Sequence, residues 1–338
     1  MVKSIEHFFE DIFHHAIRQQ PEPDWSFEYR THLKQGLSQA LGDFTDWEGE
    51  GTVPVVQKVV NKGSYSQELV TFRLPSQLLV SMYILTPLTG QKTYPAVLAL
   101  HGHGYGPEEI IGIRKDGNVK QTEDLQSDYA LQLVKRGIKV FVPTVLGFGE
   151  RMFTSDWDAG KDKSCAKMAQ LLLMAGKTLA GARIWEAART IDVIEAYNDV
   201  QPGRIGVFGF SGGAMVAGYT AALDDRIMNV VLSGYASTFA GSILKLSHCI
   251  DNYLPGILKT GELPDLLGLI APRPLFIEAG QDDPIFPVAS VKEAVQQLQD
   301  LYRYYRQGNN FCFDLHGKGH QVSGERSYDW LAREMAAQ

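Results

Sequence analysis

Apolar residues recur at steps of three and four over residues 4–20, where Ile5, Phe8, Phe9, Ile12, Phe13 and Ile17 form one stripe. That period predicts an amphipathic helix. A second helix is predicted over 27–41, and Pro21 and Pro23 break the chain between the two. Over 53–86 the period changes to short runs rich in β-branched residues, with turns at Gly63-Ser64 and Pro75-Ser76. These predict an antiparallel meander. From Tyr94 onward, predominantly apolar runs fall at 95–100, 138–142, 204–208, 227–232, 274–278 and 311–315. Runs without alternation suit strands covered on both faces, as in a parallel sheet. Helical patterns at about 123–136, 180–198, 212–222, 287–305 and 324–336 lie between or after them.

The order strand, turn, helix, repeated, predicts an α/β class protein. Its twisted sheet has about eight strands, mostly parallel, with an antiparallel N-terminal edge and helices on both faces. Residues 1–50 read as a helical extension packed on the core, and 51–338 as the α/β domain. Two connections, near 148–180 and 235–268, exceed the minimal unit; such additions at the carboxyl edge of a sheet shape ligand sites.

Composition narrows the class. The 338 residues carry 32 Lys plus Arg against 39 Asp plus Glu, a net charge of −7. Nucleic-acid binding needs a basic face, and a polybasic membrane anchor needs the same sign of charge; neither partner is expected. No apolar stretch approaches the roughly 18 residues of a membrane helix. Glu6, Glu10 and Asp11 interrupt the first helix, so it lacks the apolar core of a secretory signal. Cys165, Cys249 and Cys312 are too few and too scattered along the chain for a disulfide framework or a zinc site. The expectation is a reduced, cytoplasmic protein.

Residues 209–213 read Gly-Phe-Ser-Gly-Gly, a Gly-x-Ser-x-Gly pentapeptide between an apolar strand and a helix of small residues. That context predicts a nucleophile elbow with Ser211 at its tip. The next amide, on Gly212, then points at a reacting oxygen. A dinucleotide fingerprint fails on glycine spacing, and a phosphate-binding loop fails for want of a Lys-Ser/Thr pair.

A serine hydroxyl needs a base, and the base needs an orienting carboxylate. In this topology the acid and then the histidine follow the serine. After the strand at 274–278 come Asp282 and Asp283, whose side chains point different ways in an extended turn. Asp283 is the choice and Asp282 the alternative. After the last strand, His316 and His320 compete. His320, beyond two glycines, is the predicted base, and His316 is read as holding a loop carbonyl. His101-Gly102-His103 follows the strand at 95–100, where this topology places a second oxyanion donor; the backbone amide of His103 is assigned that role. A His-x-His pair also holds metals, but no cysteine or carboxylate nearby in sequence completes such a site. No metal and no cofactor are expected. Glu150-Arg151 is read as an ion pair tying down the insertion or as surface.

These pieces together resemble the α/β-hydrolase superfamily, in particular its bacterial dienelactone hydrolase and acetyl xylan esterase-like branch. The resemblance rests on His101-Gly102, Gly209 to Gly213, Ala271-Pro272-Arg273-Pro274, Gly280 through Pro287 and Gly319-His320, and covers about residues 78–338. It departs from acetyl xylan esterases at His103, where tyrosine is common. The resemblance implies an α/β-hydrolase fold, a Ser211-His320-Asp283 triad and an oxyanion hole from His103 and Gly212. The implied activity is hydrolysis of small carboxylic esters, short acyl or acetyl, some carried on carbohydrate. A lactone, thioester or carbon–carbon bond hydrolase would share the triad. A binding protein that kept the fold and lost turnover is the rival outside enzymes. The Phe/Ile stripe of the first helix packs either on its own domain or on a second copy of the chain.

Overall fold

The computed structural model describes residues 4–122 and 124–337. Two helices open the chain, α1 (Ile5–Ile17) and α2 (Phe27–Leu41), and Ser4 and Ser26 cap them by accepting from the amides of His7 and Tyr29. Strands β1 (Val55–Asn61), β2 (Tyr65–Arg73) and β3 (Leu79–Pro87) form the expected meander. Then come β4 (Tyr94–Leu100), α3 (Tyr129–Val134), β5 (Lys139–Pro143), α4 (Thr154–Asp158), α5 (Cys165–Met174), α6 (Leu179–Glu195), β6 (Val200–Phe210) and α7 (Gly212–Leu223). The chain ends with β7 (Ile227–Ser233), α8 (Leu263–Gly268), β8 (Leu275–Gly280), α9 (Val288–Tyr304), β9 (Phe311–His316) and α10 (Ser327–Ala337).

The nine strands form one sheet in the order β1-β2-β3-β5-β4-β6-β7-β8-β9, slightly more than the eight or so expected. Pairs β1-β2, β2-β3 and β3-β5 are antiparallel, and every later pair is parallel. Alternation within β4 explains its unbroken apolar run. Ala96, Leu98 and Leu100 join the core with Leu37, Ile191 and Ala217, whereas Val97 and Ala99 join Tyr129, Leu133 and Trp330 on the other face. Helices therefore cover both faces.

Two segments, 124–128 and α1, depart from the expected pattern. The helix expected over 123–136 begins only at Tyr129, because Ser127 and Asp128 adopt positive φ (49° and 45°) and Gln126 is drawn to the β4 exit loop. Helix α2 buries Tyr29, Leu33 and Leu37, so that part of the N-terminal extension packs on the core. Helix α1 buries no residue, and Ile5, Phe8, Phe9 and Ile12 of its stripe stay exposed. No helix of the described residues is long and apolar enough to cross a membrane.

Candidate active site

Strands β4, β6, β8 and β9 deliver every singled-out residue to one edge of the sheet, since each lies just past a strand's carboxyl end. Ser211 follows β6 directly and has φ 52° and ψ −120°, a strained conformation for a residue with a Cβ. Two glycines make the turn feasible. A methyl group at Gly209 would collide with the Gly213 carbonyl, and one at Gly213 with the Leu100 carbonyl of β4. Strand and helix thus approach more closely than any side chain permits. The Ser211 amide donates to the Ser233 carbonyl at 2.8 Å, anchoring the turn to β7.

His320 reaches the serine from the loop after β9. Its Nε2 lies 2.9 Å from Ser211 Oγ, and its Nδ1 lies 2.7 Å from Asp283 Oδ2. The ring sits between Phe210 and Phe286, with centroids 4.9 and 5.8 Å away. Asp283 is buried and Asp282 is exposed, as the facing argument required. Asp283 Oδ1 accepts from the amides of Ile285 (2.8 Å) and Phe286 (3.0 Å). Burial raises the Asp283 pKa, but the bond and charge of His320 and the two amides outweigh it and hold the carboxyl below its usual range. Asp283 is thus an anionic acceptor that orients Nδ1–H and leaves Nε2 facing the hydroxyl.

Glu278, buried on β8, steadies the histidine loop by accepting from the amides of Ser323 and Gly324, both at 3.2 Å. His316 is buried beneath this loop. It does not make the side-chain bond to a loop carbonyl that its position suggested, for neither ring nitrogen has a hydrogen-bond partner among the described residues. Its backbone carbonyl accepts instead from Gln281, at 2.8 Å.

The β4 exit loop borders the elbow. A Cβ placed on Gly212 would lie 3.0 Å from His103 Nδ1, so the His103 and Gly212 segments are in contact. His101 is occupied in holding the loop. Its Nε2 accepts from Val145 N–H at 3.1 Å, its Nδ1 meets the Gly102 carbonyl at 2.8 Å, and burial pushes the ring down to about 4. Gln126 Oε1 accepts from the Gly102 amide at 2.8 Å, and Gln126 Nε2 donates to Glu109. Neither Gln126 nor Glu109 carries a sequence motif.

The sequence view of the cysteines changes on folding. Cys165 and Cys249, far apart in the chain, come together beside His103, with their candidate ligand atoms all within 4.8 Å of one another. Next to them lies a buried ion pair, Arg183 with Asp251, and Arg183 also donates to Cys165 Sγ at 3.1 Å. Burial raises the Asp251 pKa, but Arg183 and His103 more than offset it. A charged pair between α6 and the second insertion has no periodic signature; the only hint is an arginine directly after the small-residue run Ala180 to Ala182.

Of the two readings of Glu150-Arg151, the structure favours the ion pair that ties down the insertion. Arg151 turns inward and makes a two-pronged pair with Glu186 of α6 at 2.7 and 2.8 Å, while Glu150 accepts from Ser81. The insertion is thus pinned by an acid 35 positions away. Among the aromatics of the insertions, Tyr235 lies in the core, whereas Trp157 is exposed. Trp157 lines a cavity of about 450 Å³ together with Tyr105, Lys58, Glu108, Arg114 and Met152.

Comparison with known proteins agrees with this architecture. A model of the Abhydrolase family matches residues 1–308, a span that ends before β9 and His320. The protein named Putative hydrolase YtaP of Bacillus subtilis (strain 168) is 28% identical over 229 residues, 65% of this chain and 71% of its own. A crystal structure described as a putative acetyl xylan esterase (BF1801), from Bacteroides fragilis NCTC 9343, superposes with a TM-score of 0.76 at 18% identity, covering 94% of this chain and 83% of that one. A glucuronoyl esterase from Solibacter usitatus superposes with a TM-score of 0.68 at 14% identity, covering 92% and 93%. The fold is that of the α/β-hydrolases, and the chain belongs to the Abhydrolase family.

Proposed function

We propose that this protein is a serine esterase that cleaves short acyl esters, with Ser211 as nucleophile, His320 as general base and Asp283 as its orienting acid. One observation carries the reading: the continuous hydrogen-bonded chain from Asp283 through His320 to a hydroxyl held at a strained turn. His320 Nε2 takes the proton from Ser211 Oγ as the oxygen attacks the acyl carbon. Asp283 stabilises the imidazolium that forms. The amides of Gly212 and His103 receive the tetrahedral oxyanion, each such donor being worth about 10²–10³ in rate. His320 then returns the proton to the leaving alcohol. Water, activated by the same nitrogen, releases the acyl group.

The alcohol portion is proposed to be a carbohydrate. The cavity beside Tyr105 is rich in charged side chains and offers one exposed indole, a lining suited to a hydroxylated ring. The structural relatives described as acetyl xylan and glucuronoyl esterases support this choice. The test compares p-nitrophenyl acetate with acetylated xylo-oligosaccharides. Ser211→Ala, checked for folding by circular dichroism, is expected to lose about 10⁴-fold or more in kcat on both, together with labelling by a fluorophosphonate probe. Retained activity within tenfold of the parent refutes the assignment. Trp157→Ala is expected to raise KM on the oligosaccharide alone; an unchanged KM removes the carbohydrate part. Lactones and thioesters in the same panel decide between the acyl classes this machinery serves.

A further inference from the structure

His103, Cys165 and Cys249 belong to three separate segments: the β4 exit loop, the first residue of α5 in the first insertion, and the second insertion. The proposed hydrolysis uses none of these three side chains. A tetrahedral zinc site has Zn–S near 2.3 Å and Zn–N near 2.0–2.1 Å, so its ligand atoms lie about 3.5–3.8 Å apart. The present atoms, all within 4.8 Å of one another, need to close in by at most about 1.3 Å. His103 Nε2 is buried and has no hydrogen-bond partner among the described residues. A buried imidazole nitrogen without a partner is costly, and a metal bond would satisfy it.

Charge also balances. Two thiolates and the Asp251 carboxylate carry three negative charges, and a divalent cation with the Arg183 guanidinium carries three positive ones. Arg183 already donates to Cys165 Sγ and pairs with Asp251, so the surroundings accept a thiolate without leaving net charge in the interior. Two sulfurs and an imidazole favour a borderline-soft ion over calcium or magnesium.

We propose that His103, Cys165 and Cys249 bind one Zn²⁺ ion, with loss of one proton from each thiol, and that the ion ties the oxyanion loop to both insertions. The three protein ligands leave one tetrahedral position for water. The ion takes no part in the acyl chemistry; it holds the loop whose His103 amide faces the reacting oxygen.

The test uses the full-length chain, reduced and stripped with a chelator, and titrated with Co²⁺ and then Zn²⁺. The expected result is uptake of one ion per chain, with a thiolate-to-cobalt charge-transfer band that Zn²⁺ abolishes, and a rise in Tm on adding Zn²⁺. Cys249→Ser is expected to lose the band, and its Zn²⁺ affinity should fall by at least the roughly 10–100-fold typical of losing even an outer-shell partner. Ser211→Ala should keep both. Absence of the band in the reduced parent overturns the proposal, as does a band that survives Cys249→Ser. Recovery of a Cys165–Cys249 disulfide, with no uptake after reduction, overturns it too. The readout is spectroscopic, so failure here leaves the esterase reading untouched, and failure of esterase activity leaves this site untouched.

Discussion

Two polar clusters touch the elbow at consecutive residues, and they are built on opposite principles. The cluster at Ser211 is a chain of directed bonds, Asp283 to His320 to Ser211, with both ring nitrogens engaged. The cluster beside Gly212 is a knot of buried charge and soft ligands: Arg183, Asp251, His103, Cys165 and Cys249. Elements of the sheet edge and their short exit loops supply the first. The two long insertions supply most of the second. In the proposed mechanism the first moves a proton, so disturbing it should affect rate more than stability. The second neutralises charge in the interior, so disturbing it should affect stability first.

The largest effect expected is on rate. Asp283→Asn keeps the shape of the side chain but lets it donate to Nδ1, which favours the wrong tautomer of His320. A fall of about 10⁴ in kcat is expected, with the denaturant midpoint little moved. A loss below tenfold would mean that His320 is oriented by its aromatic neighbours instead. Next is Arg183→Met, which strands the buried Asp251 carboxylate. It should cost about 3–5 kcal/mol in urea unfolding. The double change Arg183→Met with Asp251→Leu should recover much of that loss, and no recovery would contradict the charge-neutralising role.

A pH series sharpens the same contrast. Asp283 and Asp251 both titrate below the ordinary carboxylate range in the folded chain. Each therefore adds stability that is present above an unfolded value of about 3.9 and lost as pH falls through its folded value. The Arg183→Met, Asp251→Leu chain lacks one of these groups. Its stability should decline less steeply than the parent's between about pH 5 and 2, and an equal slope would exclude Asp251 as a source. The smallest effect belongs to α1. Its stripe is exposed, so Phe8→Ser should change stability by no more than about 0.5 kcal/mol. A larger destabilisation that depends on protein concentration would show the stripe buried between copies.

Most of the sheet and the first cluster are legible in the order of the residues. Residues 95–100 and 227–232 announce buried strands because a strand covered on both faces is apolar at nearly every position, Asn229 being the exception. Gly209 and Gly213 announce the elbow because the backbones there pass too close for a methyl group. Asp283 and His320 follow because each lies just after a strand whose end the apolar pattern locates. The second cluster carries no such mark. Along the chain Cys165 and Cys249 look isolated, Arg151 shows no partner acid, and 123–128 looks helical.

What the sequence by itself determined is everything imposed by a local rule: the periods of helix and strand, the tight turn at Ser211, and the order of acid and histidine after it. Tertiary structure alone decided what the two insertions bring back to the elbow, that Arg151 meets Glu186, and that α1 leaves most of its apolar stripe in solvent. The reason is physical. Local rules act on neighbours a few positions apart and leave a repeating trace, whereas a contact between distant loops depends on the path of the whole chain and leaves none.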